Sequence, residues 1–362
     1  MNENPLQAEH RKNSGALVEW LGSEVPVDFG DPGVEYDRAT GSVAVVDRSY
    51  RVPVDVMGDD ITKFLSGIIS SETEKLAIDD GQPSNFLSAK GKLLASFQTY
   101  RTGEDRCRLR FLEPTRDDVI RQLSKYAFLS DVAVQRTEEV TLSLYGPRAA
   151  DVLREAFGIA ELPTPWKRGV HVHDSTQINV YHAGDVAAPG YDLELPVAAL
   201  ASVWETLAGA AQASGGGFAG HGVGEVLRVE AGQPIFGLDY DDNNFPAEAG
   251  LESALSYAKC YVGQEIVARM RTYGHANRKL FGLRFRSEAP PAGTLLRSDG
   301  RDVARVTSPV RSPRYGAVAL GMVGRRFWDV EGPLRVESEA GIMDIDFLAL
   351  PFSEPGGKES RP

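Results

Sequence analysis

Between residues 40 and 215 the apolar positions switch repeatedly between a period of two and a period near 3.6. Val43-Ala44-Val45-Val46 and Val52–Val56 read as strands on either side of a turn at Asp47–Ser49. Asp59 or Asp60 then caps a helix in which Ile61, Phe64, Leu65, Ile68 and Ile69 fall at i, i+3, i+4, i+7 and i+8, a single apolar stripe for a core. Leu93–Tyr100 and Cys107–Leu112 flank Thr102-Gly103-Glu104-Asp105 as a hairpin, and Thr115 with Asp117 and Asp118 opens a helix to about Tyr126. Val132–Gln135 and Thr141–Leu144 are further strands, and Gly146-Pro147 starts a helix through Val152, Leu153 and Phe157. Gln177–Tyr181 and Asp192–Leu195 are strands again, followed by an alanine-rich helix, Val197–Ala213, stopped by Gly215-Gly216-Gly217. Strand, strand, helix, strand thus occurs over 92–135 and again over 178–213, which predicts two related α+β units.

From Lys279 the pattern changes. Short apolar runs at Leu280–Phe285, Val303–Val306, Ala317–Val323, Gly332–Val336 and Ile342–Phe347 are separated by Pro-Pro-Ala-Gly, Ser-Asp-Gly and Ser-Pro breaks. That spacing predicts a small β-barrel or sandwich. The expected division is an α+β module over 16–275, a β-barrel over 276–352, and polar, mobile tails at 1–15 and 353–362.

Composition narrows the function classes. A chain of 362 residues with 42% hydrophobic content has ample core material. Its net charge of −12 argues against a phosphate backbone as main partner, since Lys and Arg supply that binding. No apolar run approaches the roughly 18 residues that would cross a bilayer, so no membrane partner is expected. Two cysteines, Cys107 and Cys260, cannot form a disulfide framework and fit a reducing, cytoplasmic setting.

Candidate chemistry is concentrated between Arg228 and Arg278. Glu248 lies between small residues in Phe245-Pro246-Ala247-Glu248-Ala249-Gly250-Leu251. Such a carboxylate either caps the helix that follows or accepts two hydrogen bonds from a planar N–H/NH2 edge, as a pterin or purine presents. Cys260 follows Lys259 and precedes Arg269 and Arg271; a thiol beside cations is a better nucleophile, while a free cysteine elsewhere is a small core residue, as Cys107 within a strand would be. Gln264 and Glu265 supply polar groups to organise that loop. Arg269, Arg271, Arg278 and Lys279 form either a solvated surface or a pocket for a small anion. Asp239, Asp241 and Asp242 lack the glycine and terminal glutamate of a calcium loop, and His171 and His173 have only Asp174 beside them, so no metal is expected.

Leu227-Arg228-Val229-Glu230-Ala231-Gly232, Gly237-Leu238-Asp239-Tyr240-Asp241 and Pro246-Ala247-Glu248-Ala249-Gly250-Leu251 occur in the order found in the glycine-cleavage T-protein (aminomethyltransferase-like) superfamily, which the chain resembles from about residue 40 to 350. Cys260-Tyr261-Val262-Gly263-Gln264-Glu265 with Arg278 is similar to the YgfZ-type folate-binding proteins within it. The resemblance implies a three-lobed ring of two ferredoxin-like α+β lobes and a C-terminal β-barrel. It also implies tetrahydrofolate as the bound cofactor, with Glu248 on the pterin edge and Arg228, Arg278, Tyr261, Gln264 and Glu265 around the site. Cys260 and Lys259 would carry the chemistry, and the partners would be iron–sulfur client enzymes or their assembly machinery. Two departures stand out. The family motif reads Lys-Gly-Cys-Tyr, whereas this chain has Ala258-Lys259-Cys260-Tyr261, placing lysine where glycine would tolerate positive φ. Where aminomethyltransferases carry a catalytic acid, Ala89-Lys90-Gly91-Lys92-Leu93-Leu94-Ala95-Ser96 places Leu94 and Ala95, which cannot move a proton. The expected function is therefore folate-linked iron–sulfur cluster assembly or repair, with a folate-dependent aminomethyltransferase or demethylase-type enzyme as the alternative.

Overall fold

The computed structural model describes residues 6–13, 16–112, 115–128, 130–274, 276–339 and 341–353. The chain divides into two compact units: residues 1–184, 188–224 and 251–272 make one, and residues 185–187, 225–250 and 273–362 make the other.

The first unit contains two sheets. In the five-stranded antiparallel sheet the spatial order is Gly81–Leu87, Leu93–Arg101, Arg106–Leu112, Arg51–Met57 and Ala133–Arg136. The helices Ile61–Ser66 and Thr115–Ala127 contribute Ile61, Leu65, Val119 and Leu123 to a core shared with Val54, Phe86, Ala95, Leu109 and Phe111 of the strands. The six-stranded sheet runs Arg168–His173, Thr176–His182, Gly190–Pro196, Glu139–Tyr145, Ala44–Asp47 and Gly217–Phe218, antiparallel except for the last pair. Helices Ala149–Phe157 and Leu200–Ala213 pack Val152, Leu153, Trp204 and Leu207 against Leu142, Leu144, Val180 and Leu193. Both strand–strand–helix–strand repeats are present. The strands on either side of Asp47–Ser49, however, do not pair with each other: one joins each sheet.

The remaining faces of the two sheets meet through charge. Along Arg106–Leu112, Leu109 and Phe111 enter the helix-side core, while Arg108 and Arg110 point the other way and are still buried. Arg108 binds both oxygens of Asp55 at 2.8 and 3.1 Å and reaches Glu194 at 3.3 Å. Arg110 binds Asp192 at 3.0 Å and pairs with Glu194, and Arg51 binds Asp192 at 2.8 Å. Every guanidinium in this layer faces a carboxylate, the condition under which buried charge is tolerated.

The expected tail at 1–15 is partly a folded element. Gln7–Asn13 is a helix; its His10 and the preceding Leu6 are buried, the His10 ring makes edge contacts with Phe29 and Trp204, and its Nε2 lies 2.8 Å from Asp47 Oδ2. Residues 1–5, 14–15 and 354–362 of the two expected tails lie outside the described residues.

In the second unit six antiparallel strands close into a barrel in the order Arg278–Phe285, Gly316–Gly324, Arg301–Ser312, Leu295–Ser298, Leu334–Ser338, Gly341–Leu348. Leu283, Phe285, Leu296, Val306, Ala319 and Ile345 fill it. The expected boundary at 276 leaves out residues 225–250, which the structure groups with the barrel. The reason is polar: Ser308 and Thr307 donate to Asp239 at 2.7 and 2.6 Å, and Ser312 donates to Glu230 at 2.6 Å. None of the helices among the described residues is long and apolar enough to cross a membrane.

Candidate functional site

Each unit carries its own group of candidate residues. In the first, residues 251–267 run along the exit of the helix Ile61–Ser66 and across the turn that joins Gly81–Leu87 to Leu93–Arg101. Asn85 Nδ2 donates to the carbonyl of Leu251 at 3.0 Å, Ser70 Oγ donates to that of Ala254, and Ser256 N–H donates to that of Ser70 at 2.8 Å. Gly263, at φ +82°, then lies against the turn, and Gly91, at φ +71°, faces Ile266 and Val267. Gln264–Tyr273 forms a helix directly afterwards. Between these attachments Cys260 is exposed and unbonded to any other cysteine.

The residues beside Cys260 are held differently from what the motif alone implies. Lys259 adopts ordinary negative φ, so the lysine at the glycine position does not strain the loop; the positive φ falls on Gly263 instead. Its ammonium donates to the carbonyl of Ser66 and, at 2.7 Å, to that of Ile69, and it stands 4.9 Å from the centroid of the Tyr261 ring. Burial pulls the Lys259 amine down to about 8, against the opposing pull of Glu72 and Glu74. Tyr261 is buried, its hydroxyl has no hydrogen-bond partner among the described residues, and burial pushes it up to about 12. Arg271 covers the ring of Tyr257 at 4.3 Å. Gln264 and Glu265, expected around the ligand, occupy the first helical turn, where Glu265 is exposed and 4.0 Å from Arg269, an ordinary surface pair. Cys107 is the core cysteine: burial pushes its thiol up to about 12. On the strand after the turn, Leu94 is half-buried and Ala95 fully buried against the sheet's core.

In the second unit Glu248 is buried within the short helix Pro246–Ala249. Its Oε2 accepts from the Phe245 N–H at 3.0 Å and from Asn244 Nδ2 at 3.1 Å. Reaching back to the N-cap amide is half of a capping box; phenylalanine has no acceptor with which to return the other half. The helix-cap reading of Glu248 therefore describes one oxygen. The other, Oε1, lies 3.6 Å from Arg278 Nε and keeps capacity for a further donor. Arg278 is nearly half exposed and well placed to orient that oxygen.

Arg228 is not free for a ligand. Its Nε and Nη2 bind Glu225 at 3.0 and 2.8 Å, Nη1 binds the Gln233 carbonyl at 2.6 Å and Asp239 at 2.8 Å, and Nη2 also binds Ser308 at 2.8 Å. All five guanidinium hydrogens are used, which makes Arg228 a structural tie between Glu225, Asp239 and the barrel rather than a pocket contact.

Sequence reasoning missed Ser70, Asn85 and Tyr257, which hold the thiol loop in place. Their signals are ordinary strand, turn and loop residues, and only tertiary placement gives them this role.

The GCVT N-terminal domain family matches residues 6–259. The aminomethyltransferase of Stenotrophomonas maltophilia (strain R551-3) is 25% identical over 350 residues, covering 91% of this chain and 93% of its own length. That of Lysinibacillus sphaericus (strain C3-41) is 23% identical over 363 residues, 97% of this chain and 98% of its own. The crystal structure of the glycine cleavage system aminomethyltransferase T from Bartonella henselae superposes with a TM-score of 0.88 at 24% identity, covering 97% of each chain, so the fold is that of a T-protein.

Proposed function

Because the chain belongs to the family of the GCVT N-terminal domain, we propose that it is a cytoplasmic tetrahydrofolate-binding protein that assists iron–sulfur cluster assembly or repair in client enzymes. In this reading it is of the YgfZ type, with Cys260 as its functional thiol. The observation that carries the reading is the loop of Cys260, seated through Gly263 on the turn that leads into Leu94 and Ala95. Where the aminomethyltransferases it resembles place an acid, this chain has two apolar residues, and the loop that Gly263 seats on the same turn carries an exposed thiol. Apolar side chains cannot relay a proton to or from an amine, whereas an exposed thiol is available to a partner.

The folate site fits the donors present. Glu248 Oε1 retains acceptor capacity beside Arg278, and a buried carboxylate so placed suits a planar N–H/NH2 edge. Bound tetrahydrofolate would supply a one-carbon acceptor; Glu248 would orient its pterin and Arg278 would hold Glu248. Gln264 and Glu265 would organise the start of the thiol helix rather than touch the ligand. Cells carrying Cys260→Ser should lose activity of cluster-dependent enzymes while the purified variant still binds tetrahydrofolate in calorimetry. Unchanged cluster-enzyme activity would remove the thiol from the proposal.

A second reading, folate-dependent aminomethyl transfer, is favoured by the activity named for the relatives. Turnover of an aminomethyl donor with tetrahydrofolate by the purified protein, abolished in Glu248→Gln, would establish it.

A further inference from the structure

The ammonium of Lys259 bonds to two backbone carbonyls of one short stretch, Ser66 at the last turn of the helix Ile61–Ser66 and Ile69 just beyond it. Carbonyls at a helix C-terminus lack intrahelical donors, so a lysine amine there serves as a cap. Lys259 immediately precedes the exposed Cys260, and its ammonium stands 4.9 Å from the centroid of the Tyr261 ring on the far side of that cysteine in sequence. The fixed points on the upstream side are Ala254 and Ser256 on Ser70, and on the downstream side Gly263 on the turn at Ser88–Gly91. Six residues, 257–262, span the gap. Among these described residues, Lys259 is the one whose side chain hydrogen-bonds to backbone outside the span, at the exit of the helix Ile61–Ser66.

We infer that Lys259 is a positioning residue: it ties the thiol loop to the exit of the helix Ile61–Ser66 and thereby fixes where Cys260 is presented. This rests on the reading of Cys260 as the functional thiol for its biological meaning, but the anchoring itself does not. The residue that departs from the family motif thus acts through backbone acceptors, not as an acid or base on a substrate. A methionine could keep the contact with Tyr261 and would lose both carbonyl bonds. An arginine keeps donors for both carbonyls.

The test uses the full chain with a nitroxide attached to Cys260; Cys107 is buried and Cys260→Ser serves as the unlabelled control. The native protein and Lys259→Arg should give spectra with a slow-motion component, and Lys259→Met should lose that component. Amide exchange over residues 66–71, read on unlabelled protein, should speed up in Lys259→Met and return to the native rate in Lys259→Arg. Identical spectra and identical exchange in native protein and Lys259→Met would overturn the inference. Should Lys259→Met fail to fold, a native-like spectrum from Lys259→Arg supports the tie, and a spectrum from it without the slow component counts against it. The functional reading fails separately: loss of the slow component in Lys259→Met alongside full cluster-enzyme activity in Cys260→Ser cells would sink the thiol's role and leave the anchoring intact.

Discussion

Gly263 lies so close to Ser88 that a Cβ built on it would stand 2.4 Å from the Ser88 carbonyl oxygen, and 3.0 Å from the Cα of Gly91. Its φ of +82° is also one that side chains disfavour. Two independent penalties therefore select glycine where the thiol loop meets the turn. Gly263→Ala should cost about 1–3 kcal/mol, seen as a lower urea midpoint, with protease sensitivity appearing first between residues 256 and 264. A midpoint equal to the native one would mean that the loop is not seated on the turn.

The amine of Lys259 gives the same loop a pH signature. Burial holds it down at about 8, below the ordinary lysine value of 10.5. The folded state thus binds this proton more weakly than the unfolded chain does. The contribution of the neutral amine is present above the ordinary value and is lost as pH falls through about 8. Between pH 8 and 10 the native protein should gain stability relative to Lys259→Met, measured by urea unfolding of both. Parallel pH profiles would show that the amine titrates normally.

Glu248→Gln separates the two jobs of that side chain. The amide oxygen can still accept from the Phe245 N–H and Asn244, so the helix start survives. The amide nitrogen would then take the place of Oε1, offering hydrogens to Arg278 and to a ligand's N–H edge, both of which are donors. Losing a hydrogen bond to a charged group costs about 1.5–3 kcal/mol, roughly 10- to 100-fold in affinity. Calorimetry with tetrahydrofolate should show that weakening with the melting temperature nearly unchanged.

Much of this architecture is legible along the chain, and its failures share a cause. The stripe Ile61, Phe64, Leu65, Ile68, Ile69 and the short runs after Lys279 announce their cores because burial there follows hydrophobicity. Arg108 and Arg110 alternate with Leu109 and Phe111 as they would on a solvent-facing strand, yet that face is covered by the strand Gly190–Pro196 of the other sheet, which carries Asp192 and Glu194. The helix Gln7–Asn13 has a polar sequence, and its anchors are Leu6 and His10, the latter fixed by Asp47 from a strand 37 residues away. Arg228 belongs to a motif that signals the family but is spent on Glu225, Asp239 and Ser308. For Arg108, Arg110 and His10 partners distant in sequence decide what a charge does, and for Arg228 the distant partner is Ser308 on the barrel.

Removing Arg228 tests whether its tie is structural. Arg228→Met leaves Asp239 and Glu225 without their guanidinium in a buried setting, which costs about 3–5 kcal/mol. Arg228→Lys has three donors for acceptors that now use five, so it should fall between the two. The readout is the urea midpoint; folate affinity corrected for the unfolded fraction should hold. Weaker folate binding in a stably folded Arg228→Lys would return Arg228 to the pocket.

The charged layer between the two sheets makes a different demand. The guanidinium of Arg110 pairs with Asp192 and Glu194 and lies 4.0 Å above the ring of Tyr181, with no exposure to solvent. Arg110→Met should cost about 3–5 kcal/mol, because it takes one guanidinium from each carboxylate, leaving Arg108 beside Glu194 and Arg51 beside Asp192. Adding Glu194→Leu removes the carboxylate that was stranded, so the double variant should be less destabilised than the two single losses summed. The interaction measured by that cycle reports whether the sheets are held by compensated charge or merely by packing. A cycle that closes with zero coupling would place the stabilisation in the flanking contacts, chiefly the edge-to-face pair of the Tyr100 and Tyr181 rings, whose centroids are 4.7 Å apart.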